Sequence, residues 1–385
     1  MPDTIVTFQI PTQILFGAGA LDRLPDSLPV SSPAKILLVT DRGLRRAGIL
    51  DQVAAVLEKG GLPFAVFDET EENPSVETVE AATALLRDEA CDLVMGLGGG
   101  SPMDVAKSVA IMAGNPGSIR DYEGTQKIPH PPLPVVAIPT TAGTGAEVTP
   151  FIVITDIVRR FKMTIVCRSA IPALAVVDPA LMATMPAPLA AATGMDALTH
   201  GIESYVSLLA QPFTEALALH GIRLIGQNLR RGVADRADRE AVGNLAIAST
   251  MVAAAFSHTR LGNAHALAHP LGGFYNIPHG VANAVLLPHI MAYNAPACPE
   301  KMANIAGAMG IDVCGLPAPD GAAAAVEAVR RLMHDIGIPH GLGALGLKEE
   351  DIPRLAADAI KSGNIAVNPR PTRLEDLAGL YHAAL

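Results

Sequence analysis

The chain has 385 residues, a formal net charge of -10, half of its residues apolar and 17% charged. That length exceeds what one hydrophobic core usually supports, so two domains are expected, and the composition excludes a disordered or fibrous chain. The acidic balance argues against nucleic acid or an anionic membrane surface as partner, because neutralising phosphates takes clustered Lys and Arg; a small molecule is the expected partner.

The opening MPDTIVTFQI lacks the basic region and long apolar run of a signal peptide, and Cys91, Cys167, Cys298 and Cys314 show no C-x-x-C spacing. A cytoplasmic protein is expected. From residue 35, short β-branched runs alternate with helix-patterned segments: KILLVT, GILDQVAAVLEKGG, PFAVFD, SVETVEAATALLRDEA and DLVMGLGGG. This is the rhythm of a parallel sheet with crossover helices. The runs PVVAIPTT, FIVITD and LAVVDP extend the β-rich half to about residue 180. From Ala187 onward Ala, Leu and Met recur at three- and four-residue spacing between Gly, Pro and polar breaks, which predicts a helical bundle. The expected division is an α/β nucleotide-binding domain over residues 1–185 and an all-helical catalytic domain over 186–385, with a ligand cleft between them. The apolar run at 245–256 is too short to cross a bilayer and predicts a buried helix.

Between residues 92 and 112 a strand pattern runs through Gly96, Gly98, Gly99 and Gly100 into a helix pattern. Ser101 suits the N-cap, Pro102 the first helical position, and Asp104 the capping-box position three residues on. Such a turn places backbone amides and a positive helix end where a pyrophosphate can sit, although an ordinary strand-to-helix turn has the same signature and Ser101 departs from strict G-x-G-x-x-G. A second loop after the next strand, PTTAGTGAEVT, offers Thr140, Thr141, Gly143, Thr144 and Gly145 as further donors. Two donor loops after neighbouring strands favour a dinucleotide. Asp41, ending the first strand, is placed either to bind an adenosine ribose or to cap the following helix.

In the helical half, GMDALTHGIESY sets Asp196 and His200 four residues apart on one helix face. Downstream, GNAHALAHPLGGFYNIPHG carries His265 and His269 at the same spacing, and its Gly-Gly turn and Pro278 can bring His279 back towards them. One carboxylate and three imidazoles form a donor set suited to Fe²⁺ or Zn²⁺ and unlike a thiolate structural site. All five are candidates for one catalytic centre, whereas His220, His258 and His334 read as structural or surface residues.

Taken in order, GGGSPMDVAK, PTTAGTGAEVT, GMDALTHGIESY and AHALAHPLGGFYNIPHGVANAVLLPH closely resemble the signatures of the iron-dependent, or group III, alcohol dehydrogenase family, over a span from F-G-x-G at 16–19 to NPR at 368–370. The resemblance implies a Rossmann-like nucleotide domain, a helical domain, NAD, a divalent metal and a small primary alcohol or aldehyde as substrate, in a homodimer. It places the metal on Asp196, His200, His265 and His279 and leaves His269 as a proton relay. It implies that Gly98, Gly99, Gly100 and Ser101 line the pyrophosphate, with Asp104 in the same segment, that Thr140, Thr141 and Thr144 contact the cofactor, that Lys162 lies near its ribose, and that Asp41 selects NAD. Phe151, Phe256 and Arg260 are the candidate substrate-pocket residues. Many relatives read F-S-N-x-G-L-G before the first downstream histidine, whereas FSHTRLGNAH puts His258 and Arg260 there. For Arg260 a structural ion pair is expected, with recognition of an acidic aldehyde as the alternative. The competing functions are a polyol dehydrogenase or lyase of the same superfamily, a hydroxyacid-oxoacid transhydrogenase, and a non-catalytic metal or nucleotide sensor.

Overall fold

The computed structural model describes residues 5–159 and 161–385, and the chain divides into two compact units, one of residues 9–184 and one of residues 185–385 joined by residues 5–8.

The first unit is built on β1 (Gln13–Phe16), β2 (Ile36–Val39), α1 (Arg42–Arg46), α2 (Ile49–Lys59), β3 (Phe64–Phe67), α3 (Val76–Asp88), β4 (Leu93–Gly98), α4 (Gly100–Gly114), β5 (Gly124–Thr125), β6 (Val135–Pro139), β7 (Phe151–Asp156), β8 (Phe161–Val166) and β9 (Leu174–Val177). Six strands form one parallel sheet in the order β1-β9-β6-β4-β2-β3. Every residue of β2 and β9 is buried, as befits parallel strands covered on both faces. The order reverses between β2 and β4, so the loops leaving the carboxyl ends of these neighbours flank the topological switch point where open sheets take ligands. FIVITD departs from the parallel rhythm: it forms β7, which turns back antiparallel onto β8 in a separate three-stranded sheet.

The second unit is helical: α5 (Ala187–Val206), α6 (Pro212–Ala234), α7 (Arg239–Thr259), α8 (Asn263–Tyr275), α9 (His279–Asn294), α10 (Pro299–Ala308), α11 (Ala318–Asp335), α12 (Ile352–Ala359) and α13 (Leu374–Ala384). α5 is buried almost throughout, packed against α6, α7 and α9. Among the described residues α7 is the one helix long and apolar enough to cross a membrane, so the length argument from 245–256 does not hold; with 72% of its most apolar window buried, α7 is a core helix. The chain reversal between α8 and α9 also differs from expectation. Gly272 and Gly273 lie inside α8, and the turn is made by Asn276, left-handed at φ 54°, before Ile277 and Pro278.

Candidate active site

The glycine-rich turn after β4 forms without a side-chain cap. Gly99, not Ser101, is the N-cap of α4, and Ser101 and Pro102 lie within the helix. Gly99 has no side chain to accept from the first-turn N–H groups of this fifteen-residue helix. Gly98 has φ +150°, and a Cβ on it would stand 2.6 Å from Pro102 Cγ, so the turn requires glycine there. Thr141 and Thr144 of the second loop pack beside the turn, 3.5 Å and 3.2 Å from where side chains on Gly99 and Gly100 would begin. Thr140 adjoins them, its N–H donating to Gly98 O at 3.0 Å.

Asp104 does not close a capping box. It is half-buried with its carboxylate turned to β7, where Oδ2 accepts from Val153 N at 3.1 Å. One turn on, the fully buried Lys107 donates to Thr149 O and Phe151 O at 3.0 and 3.2 Å. Burial pushes the Asp104 carboxyl up to about 7 and the Lys107 ammonium down to about 8, each opposed by the other's charge. The pair fastens α4 to the start of β7, and Phe151 sits half-buried at that junction. Asp41 caps α1 through Oδ1, accepting from Leu44 N at 2.9 Å. The neighbouring Arg42 is paired with Glu69 at 2.7 Å on the surface. Lys162 on β8 donates to Asn73 Oδ1 at 2.7 Å, and burial lowers its ammonium.

In the helical unit, ligand atoms of Asp196, His265 and His279 lie within 4.8 Å of one another. Asp196 comes from α5, His265 from α8 and His279 from the first position of α9. Asp196 Oδ1 is 3.8 Å from His265 Nε2 and 3.9 Å from His279 Nε2. Two donors bonded to one ion at about 2.0–2.2 Å lie at most roughly 4.4 Å apart, so these separations suit a shared cation. His200 falls outside that group of three but stacks on the His265 ring at 4.7 Å, with Phe256 at 4.5 Å on it in turn. His269 is exposed and stacks on His279 at 5.4 Å. Burial alone would raise the Asp196 carboxyl, yet the His200, His279 and His265 rings and the Asn283 amide together hold it below its usual value. Burial, reinforced by His200 and His279, drives His265 well below the ordinary imidazole range and keeps it neutral, the form that ligates metals.

Family models match both halves: "Iron-containing alcohol dehydrogenase" over residues 11–179 and "Fe-containing alcohol dehydrogenase family, C-terminal" over 190–385. The chain belongs to the iron-containing alcohol dehydrogenase family. It is 43% identical over 379 residues to the 1,3-propanediol dehydrogenase of Klebsiella pneumoniae, covering 98% of each chain. It is 39% identical over 381 residues to the NAD-dependent methanol dehydrogenase of Bacillus methanolicus, covering 99% of this chain and 100% of that one. A crystal structure of 1,3-propanediol oxidoreductase superposes with a TM-score of 0.97 at 42% identity, covering 99% and 100% of the two chains.

Two residues of this dehydrogenase site went unmarked in the sequence. Asn283, four residues after His279, places Nδ2 at 2.8 Å from Asp196 Oδ1, 3.0 Å from His265 Nε2 and 3.1 Å from His279 Nε2. Glu203, 3% exposed, has Oε2 at 2.6 Å from His265 Nδ1. Burial pushes its carboxyl up to about 7, against the backbone N–H groups of Gly262 and Ala264, which pull it down. The signal for both was helical spacing, seven residues after Asp196 for Glu203 and one turn after His279 for Asn283.

The two departures from the family pattern resolve differently. His258 packs against Phe8 with ring centroids 4.6 Å apart, and Phe8 stacks on Phe213 at 5.4 Å. Arg260 does not make the expected ion pair: among the described residues no carboxylate lies within 4.0 Å of it, and its guanidinium lies against Gly363. It ends α7 at φ 56° and ψ -170°, a conformation normally left to glycine and costing roughly 1–3 kcal/mol.

Proposed function

We propose that this chain is an NAD-dependent, metal-dependent alcohol dehydrogenase interconverting a small primary alcohol and its aldehyde. The convergence of buried Asp196 and His265 and exposed His279, with His200 stacked beside them, carries the reading. The residues fit a cation on their own chemistry. The Asn283 NH₂ group has two hydrogens for three close neighbours, Asp196 Oδ1 and the Nε2 atoms of His265 and His279, while among the described residues its buried Oδ1 has no partner. A polar cluster left unbalanced in this way is costly, and a divalent ion held by Asp196, His200, His265 and His279 satisfies the acceptors together. The nucleotide unit fits a pyrophosphate: the uncapped start of α4 and the glycine cradle beside Thr141 and Thr144 offer N–H groups and room for close approach.

When bound, the metal supplies Lewis acidity to the substrate oxygen and the nicotinamide supplies or takes the hydride. The chain's own part is to hold and orient. Asp196 brings the one negative charge among the ligands, and buried, neutral His265 brings a lone pair. Phe256 and His200 wall the site with flat rings, which favours a small substrate. We assign His269, exposed and stacked on His279, to passing the alcohol proton to solvent. Asp41 is assigned to the adenosine ribose through the carboxylate oxygen not used in capping α1.

The iron-containing family and the NAD-dependent relative support the cofactor pair, with Zn²⁺ able to occupy the same donors. Four unbridged cysteines support a cytoplasmic location. Leu208, Leu209 and Phe213, exposed at 64%, 49% and 64%, support a homodimer. Incubation with NADH and short aldehydes tests the activity. Stoichiometric loss of NADH absorbance is expected; hydride exchange between an added hydroxyacid and oxoacid without net NADH loss would identify a transhydrogenase, and no turnover with any aldehyde or with NAD⁺ and alcohols would leave a sensor.

A further inference from the structure

We propose that Glu203 is a positioning residue for the metal site, acting through His265: its carboxylate takes the Nδ1 proton of the imidazole and turns the bare Nε2 towards Asp196 and His279. The inference rests on the metal-site reading above. A neutral imidazole carries one N–H and one lone pair, and the partner of one nitrogen decides the state of the other. Glu203 Oε2 lies 2.6 Å from His265 Nδ1, and a carboxylate only accepts, so Nδ1 must donate. On the far side of the ring, Nε2 lies 3.0 Å from Asn283 Nδ2, an amide nitrogen that only donates, so a proton on Nε2 would meet another N–H and a bare Nε2 is the form that fits. The amide's orientation is in turn fixed by the Asp196 carboxylate at 2.8 Å. Two partners on opposite sides of the ring therefore demand one tautomer, the one that ligates through Nε2.

Glu203 itself has no freedom to turn away. Its Oε1 accepts from Ala264 N at 2.6 Å, at the start of the helix that carries His265. The same side chain thus fixes the start of α8, the tilt of the ring and the site of its proton, and a carboxylate behind a ligating histidine also strengthens the ring as a donor.

A purely structural role, capping α8, is separated from this one by Glu203→Gln. The amide keeps an oxygen for the backbone N–H groups, which cannot change character. Its NH₂ then faces Nδ1 and the proton moves to Nε2, the nitrogen meant for the metal. The test uses the full chain, stripped of metal and labelled with ¹⁵N-histidine, in mildly alkaline buffer. Expected are a His265 ring protonated at Nδ1 in the parent and at Nε2 in Glu203→Gln, Zn²⁺ affinity weaker by about 10- to 100-fold in the variant, and unchanged far-ultraviolet circular dichroism. Glu203→Asp, which remains acceptor-only, should keep Nδ1 protonated and recover part of the affinity, and it carries the test if the Gln variant does not fold. Parent-like tautomer and Zn²⁺ affinity in Glu203→Gln, or loss of the Nδ1 proton in Glu203→Asp, overturns the proposal. Asp196→Ala run alongside separates the two ideas: if it loses Zn²⁺ while Glu203→Gln does not, the metal site stands and the role of Glu203 falls.

Discussion

Gly280 follows His279 at the start of α9, and its position next to α5 makes it a test of how the site is assembled. A Cβ there would lie 2.5 Å from Ala192 O and 2.9 Å from Ala192 C, backbone atoms of α5 one turn before Asp196. Ordinary contact begins at 3.4 Å, so Gly280→Ala must push the first turn of α9 away from α5 by about 0.9 Å. Metal–ligand distances tolerate only about ±0.2 Å. Added to the 3.9 Å between His279 Nε2 and Asp196 Oδ1, that displacement carries the pair beyond the roughly 4.4 Å that two ligands of one ion can span. We expect Zn²⁺ or Fe²⁺ affinity to fall by about 10- to 100-fold, which is about 1.4–2.8 kcal/mol, with no ligand altered. Overall stability should change less, because overpacking costs about 1–3 kcal/mol while Ala gains about 1 kcal/mol over Gly in a helix. Gly273→Ala is the control. It lies in α8 with nothing within 4 Å of the added methyl, so it should leave metal affinity unchanged and raise stability by about 0.5–1 kcal/mol. Chelator-competition titration of the stripped proteins, with circular dichroism as the folding check, provides the measurement. Wild-type affinity in Gly280→Ala would refute the reasoning.

Asp41→Gly removes a carboxylate that would face a 2′-phosphate, and glycine at an N-cap costs only a few tenths of a kcal/mol; the ratio of kcat/KM for NADP to that for NAD should rise by about tenfold or more, and an unchanged ratio would leave Asp41 as a cap alone. His269→Ala should lower turnover by about 100-fold with metal content retained, since the residue is assigned to proton transfer and not to ligation; loss of metal in this variant would put His269 among the ligands. Hydrogen bonds from the Arg159 side chain and backbone, opposed by burial and helped by Arg120, hold the Asp156 carboxyl down to about 2. A carboxyl held below its unfolded value stabilises the fold at pH above about 4, and that contribution is lost as pH falls towards the folded value. In urea unfolding, the stability gap between wild type and Asp156→Asn should therefore stay constant at neutral pH and close between about pH 4 and pH 2; a gap that persists at the acid end would contradict the assignment.

What was legible in the sequence was whatever follows from periodicity and local spacing. β2, β3, β4, β6 and β9 lie where the β-branched runs predicted strands, and the helical half begins at Ala187. Asp196 and His200 share a face of α5 because four residues make about one turn. Elsewhere tertiary partners override local signals. Ser101 and Asp104 have the spacing of a cap, but Asp104 finds Val153 N on a strand nearly fifty residues away and is drawn towards β7 beside Lys107. Gly272 and Gly273 look like a turn, yet α8 runs through them and Asn276 takes the left-handed position instead. Arg260 is expected from the sequence to make a structural ion pair, yet its backbone conformation sends it against Gly363. Glu203 and Asn283 were missed because their importance lies in what they touch across helices, α8 for one and α5 for the other.

The most direct test of the central claim is one paired measurement on metal and turnover. Wild type and Asp196→Ala are stripped, reloaded with Fe²⁺ under anaerobic conditions, analysed for bound metal and assayed for NADH oxidation by a short aldehyde. One iron per chain and full turnover are expected in wild type, and neither in Asp196→Ala although its circular dichroism is unchanged. Stoichiometric iron in the variant, or undiminished turnover by the stripped wild-type protein, would contradict it.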